Sequence, residues 1–189
     1  MAPPELLVAA HDQFMATLGL VGDDDWARPT PCDAWLVRDL VAHLVSGERM
    51  AVALLDGAST DEARALIGSA RADGDLRAEL SSAFAASRAA FEQSGALDQT
   101  VHHPVGDISG AQLRDFRTAD ATLHSWDLAR SIGASEALDP ALVDAVWAQL
   151  EPLSPIIASI GLFGEGPSGA LGPSDDLQAR LLDLTGRRP

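Results

Sequence analysis

The chain has 189 residues, enough for one domain with a real core, and its 47% hydrophobic share excludes wholesale disorder. Acidic residues outnumber basic ones 28 to 13, for a net charge of -15, so phosphate backbones and anionic lipid are repelled and neither nucleic acid nor membrane is an expected partner. The one cysteine, Cys32, excludes an internal disulfide; with no basic leader and no apolar run of the ~18 residues needed to span a bilayer, a soluble cytoplasmic protein is expected.

The first predicted element is a helix over about 4–20, where Leu6, Leu7, Ala10, Phe14 and Leu18 recur at helical spacing behind Pro3 and Pro4. The stretch "GDDDWARPTPCDAW" (22–35) is a loop by composition. A second helix is predicted from about 36 to 55, with Asp33 as its N-cap and "DGAST" ending it, and a short helix over 60–68. The third long helix covers about 75–94, with Leu76, Leu80, Phe84 and Phe91 in register and the small Ser87 on the same stripe. A connection follows, with a short extended piece at 100–105. The fourth long helix runs from about 110 to 132 and stops at Gly133; the fifth runs over about 139–159 behind Asp139 and Pro140. "GLFGEGPSGALGPSD" (161–175) is a Gly- and Pro-rich loop, and a last helix covers 174–185. No repeat and no convincing strand alternation is visible. The expected fold is all-α, an antiparallel bundle of four long helices with additional short helices, in a single domain over 1–189.

One stretch asks for chemistry. In "DATLHSWDLA" (120–129), Asp120, His124 and Asp127 are spaced by four and three, which puts all of them on one helix face. Leu113, Phe116 and Leu123 share that broad face. On the second helix, His43 lies on a stripe with Leu36, Leu40, Gly47 and Met50, and the small Gly47 leaves room one turn beyond the imidazole. Two readings are open. The polar groups form a solvated strip, or Asp120 and His124 on one helix meet His43 on a facing one and hold a divalent metal with a coordination position left over. Asp127 is either solvated or paired with Arg130. Trp35 and Trp126 read as core or rim packing. His11, His102 and His103 read as surface residues, and Cys32 as a buried inert thiol. No nucleophile elbow, P-loop or dinucleotide fingerprint is present.

The segments "WARPTPCDAWLVRDLVAHLVSGERM" (26–50), "DATLHSWDLARSIG" (120–133) and "RLLDLTGRRP" (180–189) resemble the DinB-like superfamily, and within it the N-terminal domain type of the mycothiol-dependent maleylpyruvate isomerases. The resemblance implies an up-down-down-up four-helix bundle with a divalent metal, zinc or nickel, near one end. It implies His43 of "VAHL" and His124 of "HSWDLA" as metal ligands, with Asp120 as the acid one turn before His124. The isomerase type has Glu at that acidic position; Asp120 reaches about one methylene less, so ligation directly or through a water is open. Asp127 would orient a ligand imidazole or pair with an arginine. The activity implied is that of a metal-dependent S-transferase or isomerase using mycothiol or another low-molecular-weight thiol on a small electrophile. The alternative is a non-catalytic module whose metal site is structural or vestigial. The separate C-terminal domain of the isomerase is not evident, so maleylpyruvate is not the expected substrate. A homodimer is left open.

Overall fold

In the computed structural model, residues 3–32, 34–70, 74–157 and 166–189 are described. Helix α1 (Pro3–Leu18) has its two prolines in the first turn, where a missing N–H breaks no helical hydrogen bond. Helix α2 (Val37–Leu55) starts behind Leu36, whose backbone N–H donates to Asp39 Oδ2 at 2.9 Å. Asp33, the expected cap, lies outside the described residues. The chain cannot turn helical earlier, because it doubles back there: Pro29 bridges Leu36, and Val37 N–H donates to Arg28 O at 3.0 Å.

Helix α3 (Thr60–Leu66) carries a Ser59–Glu62 capping box, and Asp75 caps α4 (Leu76–Phe91) by accepting from Ala78 N–H. Strands β1 (Thr100–His103) and β2 (Gly106–Ser109) form an antiparallel hairpin in the register Thr100↔Ser109 and Val101↔Ile108. The extended piece expected at 100–105 is thus half of a hairpin. Its second strand, "GDIS", has no apolar alternation to announce it. Helix α5 (Gly110–Ile132) is capped by Ser109 with Gln112 and ends on Gly133 at φ 72°, a left-handed position suited to glycine. Helix α6 (Pro140–Leu150) is shorter than the expected 139–159. Pro152 and Pro155 interrupt it, since neither can donate and each ring crowds the preceding turn; a 3-10 turn (Glu151–Leu153) and α7 (Ser154–Ile157) follow. The last two residues expected in that helix lie outside the described segments. Helix α8 (Leu177–Leu184) is capped by Asp176.

Cross-helix contacts set the direction of each bundle helix. Arg77 on α4 donates to the carbonyls of Leu18 and Val21, and Arg88 reaches Val8 and Asp12, so α4 runs against α1. His43 meets Asp120 and Glu48 meets Arg117, so α2 runs against α5. Ala10 packs with Ala121 while Gln13 reaches Ala137 O, so α1 and α5 run the same way. Leu40 and Leu44 pack with Leu76 and Leu80, and Leu54 with Phe91, so α2 and α4 do too. This is the up-down-down-up order of an all-α DinB-like bundle. Phe14, Leu18, Val37, Leu40, Leu44, Leu80 and Phe84 fill its centre. Helices α6 and α8 pack on the outside of α5 around Trp126, Val143, Val146, Leu181 and Leu182.

His11, expected on the surface, is fully buried. Its ring stacks on Phe84 at 3.7 Å between centroids, and Arg88 Nε donates to its Nδ1 at 3.1 Å. Burial lowers its pKa, against the raising effect of Glu48. A polar neighbourhood in sequence did not mean an exposed one, because α4 supplies both an aromatic face and a donor. No helix among the described residues is long and apolar enough to cross a membrane.

Candidate metal centre

Helix α5 carries Asp120, His124 and Asp127 along one face, and the antiparallel α2 brings His43 opposite them. The rings of His43 and His124 lie 5.1 Å apart, edge to face. Asp120 Oδ1 is 3.4 Å from His43 Nε2 and 3.4 Å from His124 Nε2; Oδ2 is 3.2 Å from His43 Nε2. One ligand atom from each of these residues lies within 4.8 Å of the others. Trp35 covers both rings, at 4.7 Å from His43 and 5.9 Å from His124. The cluster is open on one flank: the His43 side chain is 32% exposed and that of His124 only 9%.

Behind His124 stands Asp127, fully buried, with Oδ2 2.7 Å from His124 Nδ1. Its partner is not Arg130 but Arg187, from the tail beyond α8. Arg187 Nε donates to Oδ1 at 2.9 Å and Nη2 to Oδ2 at 2.6 Å, a bidentate pair. Arg130 instead packs over Trp126 and donates to Arg188 O at 2.8 Å. Trp126 itself is core. Nothing local in sequence announces Arg187; the tail folds back because Arg187 N–H caps Leu182 O at 2.9 Å and carries the guanidinium over α5.

Cys32 also belongs to this neighbourhood, against the expectation of a buried inert thiol. It is partly exposed, its Sγ 3.4 Å from Asp127 Oδ2 and 3.9 Å from His124 Nδ1. Cys32, His124 and Asp127 form a second group able to hold a metal by distance alone. That group shares His124 through Nδ1, on the opposite side of the ring from Asp120, and Asp127 is already committed to Arg187.

On the other side of Asp120, Arg117 Nη2 donates to Oδ2 at 2.6 Å and Arg117 Nε to Glu48 Oε1 at 3.0 Å. The room left by Gly47 is taken by this guanidinium, not by the imidazole: a Cβ on Gly47 would meet Arg117 Nη2 at 2.5 Å. Neither Arg117 nor Glu48 stood out in the sequence. The hairpin histidines lie further out, His102 on Asp107 at 2.8 Å and His103 against Phe116 at 5.7 Å. Burial and then the Arg117 charge lower the pKa of His103.

The charges are strongly coupled. Burial works against ionisation of Asp120, yet the charges of Arg117, His43 and His124 hold its carboxyl well below the usual range. Burial likewise disfavours charge on His124, but Asp120 and the bonds to Asp127 and Cys32 raise its pKa well above the ordinary value. Against its own burial, Asp127 is held at about 2 by His124 and Arg187. The cause is a carboxylate on each ring nitrogen of His124. Asp127 accepts only, so Nδ1 carries a proton, and a neutral ring then turns a bare lone pair at Nε2 toward Asp120. That pairing of acceptors is relieved either by a second proton or by a cation shared with His43. The donor set, two imidazole nitrogens and one carboxylate, suits zinc or nickel.

The family description "Mycothiol maleylpyruvate isomerase N-terminal domain" matches residues 7–129. The chain belongs to that family. The matched segment contains Cys32, His43, Glu48, Arg117, Asp120, His124 and Asp127; Arg187 lies beyond it. An uncharacterized protein of Mycobacterium tuberculosis, in strains CDC 1551 / Oshkosh and ATCC 25618 / H37Rv alike, is 32% identical over 158 residues, covering 84% of this chain and 79% of the relative. The crystal structure of the mycothiol-dependent maleylpyruvate isomerase is similar with a TM-score of 0.63 and 17% identity, over 78% of this chain and 68% of that one. A mutant of the same isomerase gives 0.62 and 16% over the same shares. At such identities the likeness shows the fold.

Proposed function

We propose that this member of the mycothiol maleylpyruvate isomerase N-terminal domain family is a metal-dependent, thiol-using S-transferase or isomerase acting on a small electrophile in the cytoplasm, with residues 1–189 working as a single domain. His43, His124 and Asp120 hold a divalent ion, zinc or nickel. The observation that carries this reading is the placement of Asp120 Oδ1 at 3.4 Å from both imidazole Nε2 atoms on the open flank of the bundle. An ion there would supply a Lewis acid that lowers the pKa of a coordinated thiol, mycothiol or another small one, so that its proton would pass to solvent.

The chain's own residues prepare that chemistry. Asp127 keeps the proton on His124 Nδ1, so Nε2 presents its lone pair toward His43 and Asp120. Arg187 fixes Asp127 in a bidentate grip. Trp35 walls one side of both rings and excludes water from it. Among the described residues no fourth His, Cys, Asp or Glu joins the His43–Asp120–His124 group, which favours an open, reactive position over a closed structural site. Cys32 faces the wrong edge of His124 to complete that shell, so the reacting sulfur comes from the small thiol.

The test is elemental analysis of untagged protein with a thiol-transfer assay on a broad electrophile. Wild type is expected to hold one equivalent of metal and to turn over with mycothiol. His43→Ala loses both, and Cys32→Ser keeps both. A Cys32→Ser protein that binds metal normally yet is inactive puts the sulfur in the protein and sinks this mechanism.

A further inference from the structure

Asp120 is a ligand candidate with an arginine on it, and that arrangement has a cost. A guanidinium on Oδ2 competes with a cation for the same carboxylate and repels it through space. If tight metal binding were the only use of this site, Arg117 would be a defect. It is nonetheless buried and held on more than one side. Its side chain is 8% exposed, its Nε donates to the fully buried Glu48, and the Gly47 backbone lies against its face.

The housing draws on every long helix of the bundle. Arg88 of α4 donates to His11 Nδ1 on α1, so the neutral imidazole carries its hydrogen on Nε2. That atom faces Glu48 Oε1 of α2 at 3.6 Å. Glu48 holds Arg117 of α5, and Arg117 holds Asp120 Oδ2. As a result the two oxygens of Asp120 are not equivalent. Oδ2 is tied at 2.6 Å to Arg117 and also lies 3.2 Å from His43 Nε2, while Oδ1 sits at 3.4 Å from both imidazole Nε2 atoms.

We propose that the Glu48–Arg117 pair is a positioning device that engages Oδ2 of Asp120, so that Asp120 offers a single oxygen to the cation and leaves a coordination position to the thiol. This rests on the metal-holding reading above. A carboxylate free to turn both oxygens inward would grip the ion more tightly and occupy the place the thiol needs. Arg117 exchanges metal affinity for access. Gly47 belongs to the device, because any side chain there displaces the guanidinium.

Cobalt(II) titration of the metal-free protein, followed by titration with 2-mercaptoethanol, tests this by absorption spectroscopy. The double variant Glu48→Gln with Arg117→Met removes both charges together and leaves no unpaired ion in the core. It is expected to bind cobalt roughly 10-fold more tightly and the probe thiol roughly 10-fold more weakly, with a spectrum of higher coordination number. Gly47→Ala keeps every charge and is expected to move both affinities the same way. Arg117→Lys, which can still reach Oδ2 as a point charge, lies nearer to wild type. A purely structural ion pair predicts otherwise: variants that fold bind cobalt and thiol as wild type does, and that result overturns the proposal. If the double variant does not fold, Gly47→Ala decides the matter alone. A wild type that binds no cobalt, or a His43→Ala variant that binds it equally well, overturns the metal reading itself, and the proposal with it, before Arg117 enters.

Discussion

His43 and His124 face the same carboxylate, yet the protein treats them differently. His124 is nearly buried, its Nδ1 bound to Asp127, and Asp127 is gripped by a residue 60 positions further along the chain. His43 is 32% exposed and has Asp120 on one side and the face of Trp35 on the other. One flank of the site is therefore part of the core, and its polar groups are among those that hold α5 to the tail. The other is a partly exposed side chain at the rim. A buried, doubly hydrogen-bonded imidazole thus faces a partly exposed one across a single carboxylate.

The largest expected effect comes from breaking the buried flank. Asp127→Asn leaves Arg187 without its counter-charge, and losing one partner of a buried ion pair costs about 3 kcal/mol. Metal affinity is expected to fall ~10–100-fold because His124 loses the group that sets its tautomer. Denaturant melts and cobalt titration check the two effects separately; an Asn variant as stable as wild type would show that the tail, not the aspartate, bears the load.

A smaller effect sharpens the same contrast through pH. The Asp127 carboxyl stands at about 2 in the folded chain against an ordinary 3.8, which links about 2 kcal/mol of stability to its ionisation. Because the folded value is the lower one, that stability is present in full above the ordinary value and is lost as pH falls through the folded one. His124 acts in the opposite sense. Its folded value is raised above 6.5, so in metal-free protein its contribution is present in full below 6.5 and is lost as pH rises through the folded value. Metal-free wild type should thus melt highest between these limits, and Asp127→Asn should show a shallower acid limb in thermal melts.

The smallest effect belongs to the rim. His43→Ala is expected to change the stability of metal-free protein by no more than ~0.5–1 kcal/mol, since a half-exposed pair contributes little. Metal retention should be lost all the same. A large loss of stability in that variant would place His43 in the core and dissolve the contrast with His124.

Much of this site was legible in the sequence. Asp120, His124 and Asp127 share a face because side chains three and four apart on a helix always do, and His43 stood out because a polar group interrupted an apolar stripe. Helix order followed from the same periodicity, and caps such as Asp139, together with Gly133, marked several ends correctly. Where a proline intervened, as at Pro152 and Pro155, the apolar rhythm alone ran too far. The second strand of the hairpin left no trace because two exposed and two half-buried residues carry no alternation.

The rest depended on residues far apart in the chain. Arg187 is separated from Asp127 by 60 positions and Arg117 from Glu48 by 69, and an arginine that will be buried reads in sequence like one that will be solvated. His11 had polar neighbours along the chain and an aromatic one across the bundle. Local periodicity determined which groups share a face, because it follows from backbone geometry within a few residues. Which charges meet, which oxygen of Asp120 takes the arginine, and which histidine is buried were decided only by packing. A buried ion pair is stable only where desolvation is repaid by a partner held in place, and that partner comes from another helix.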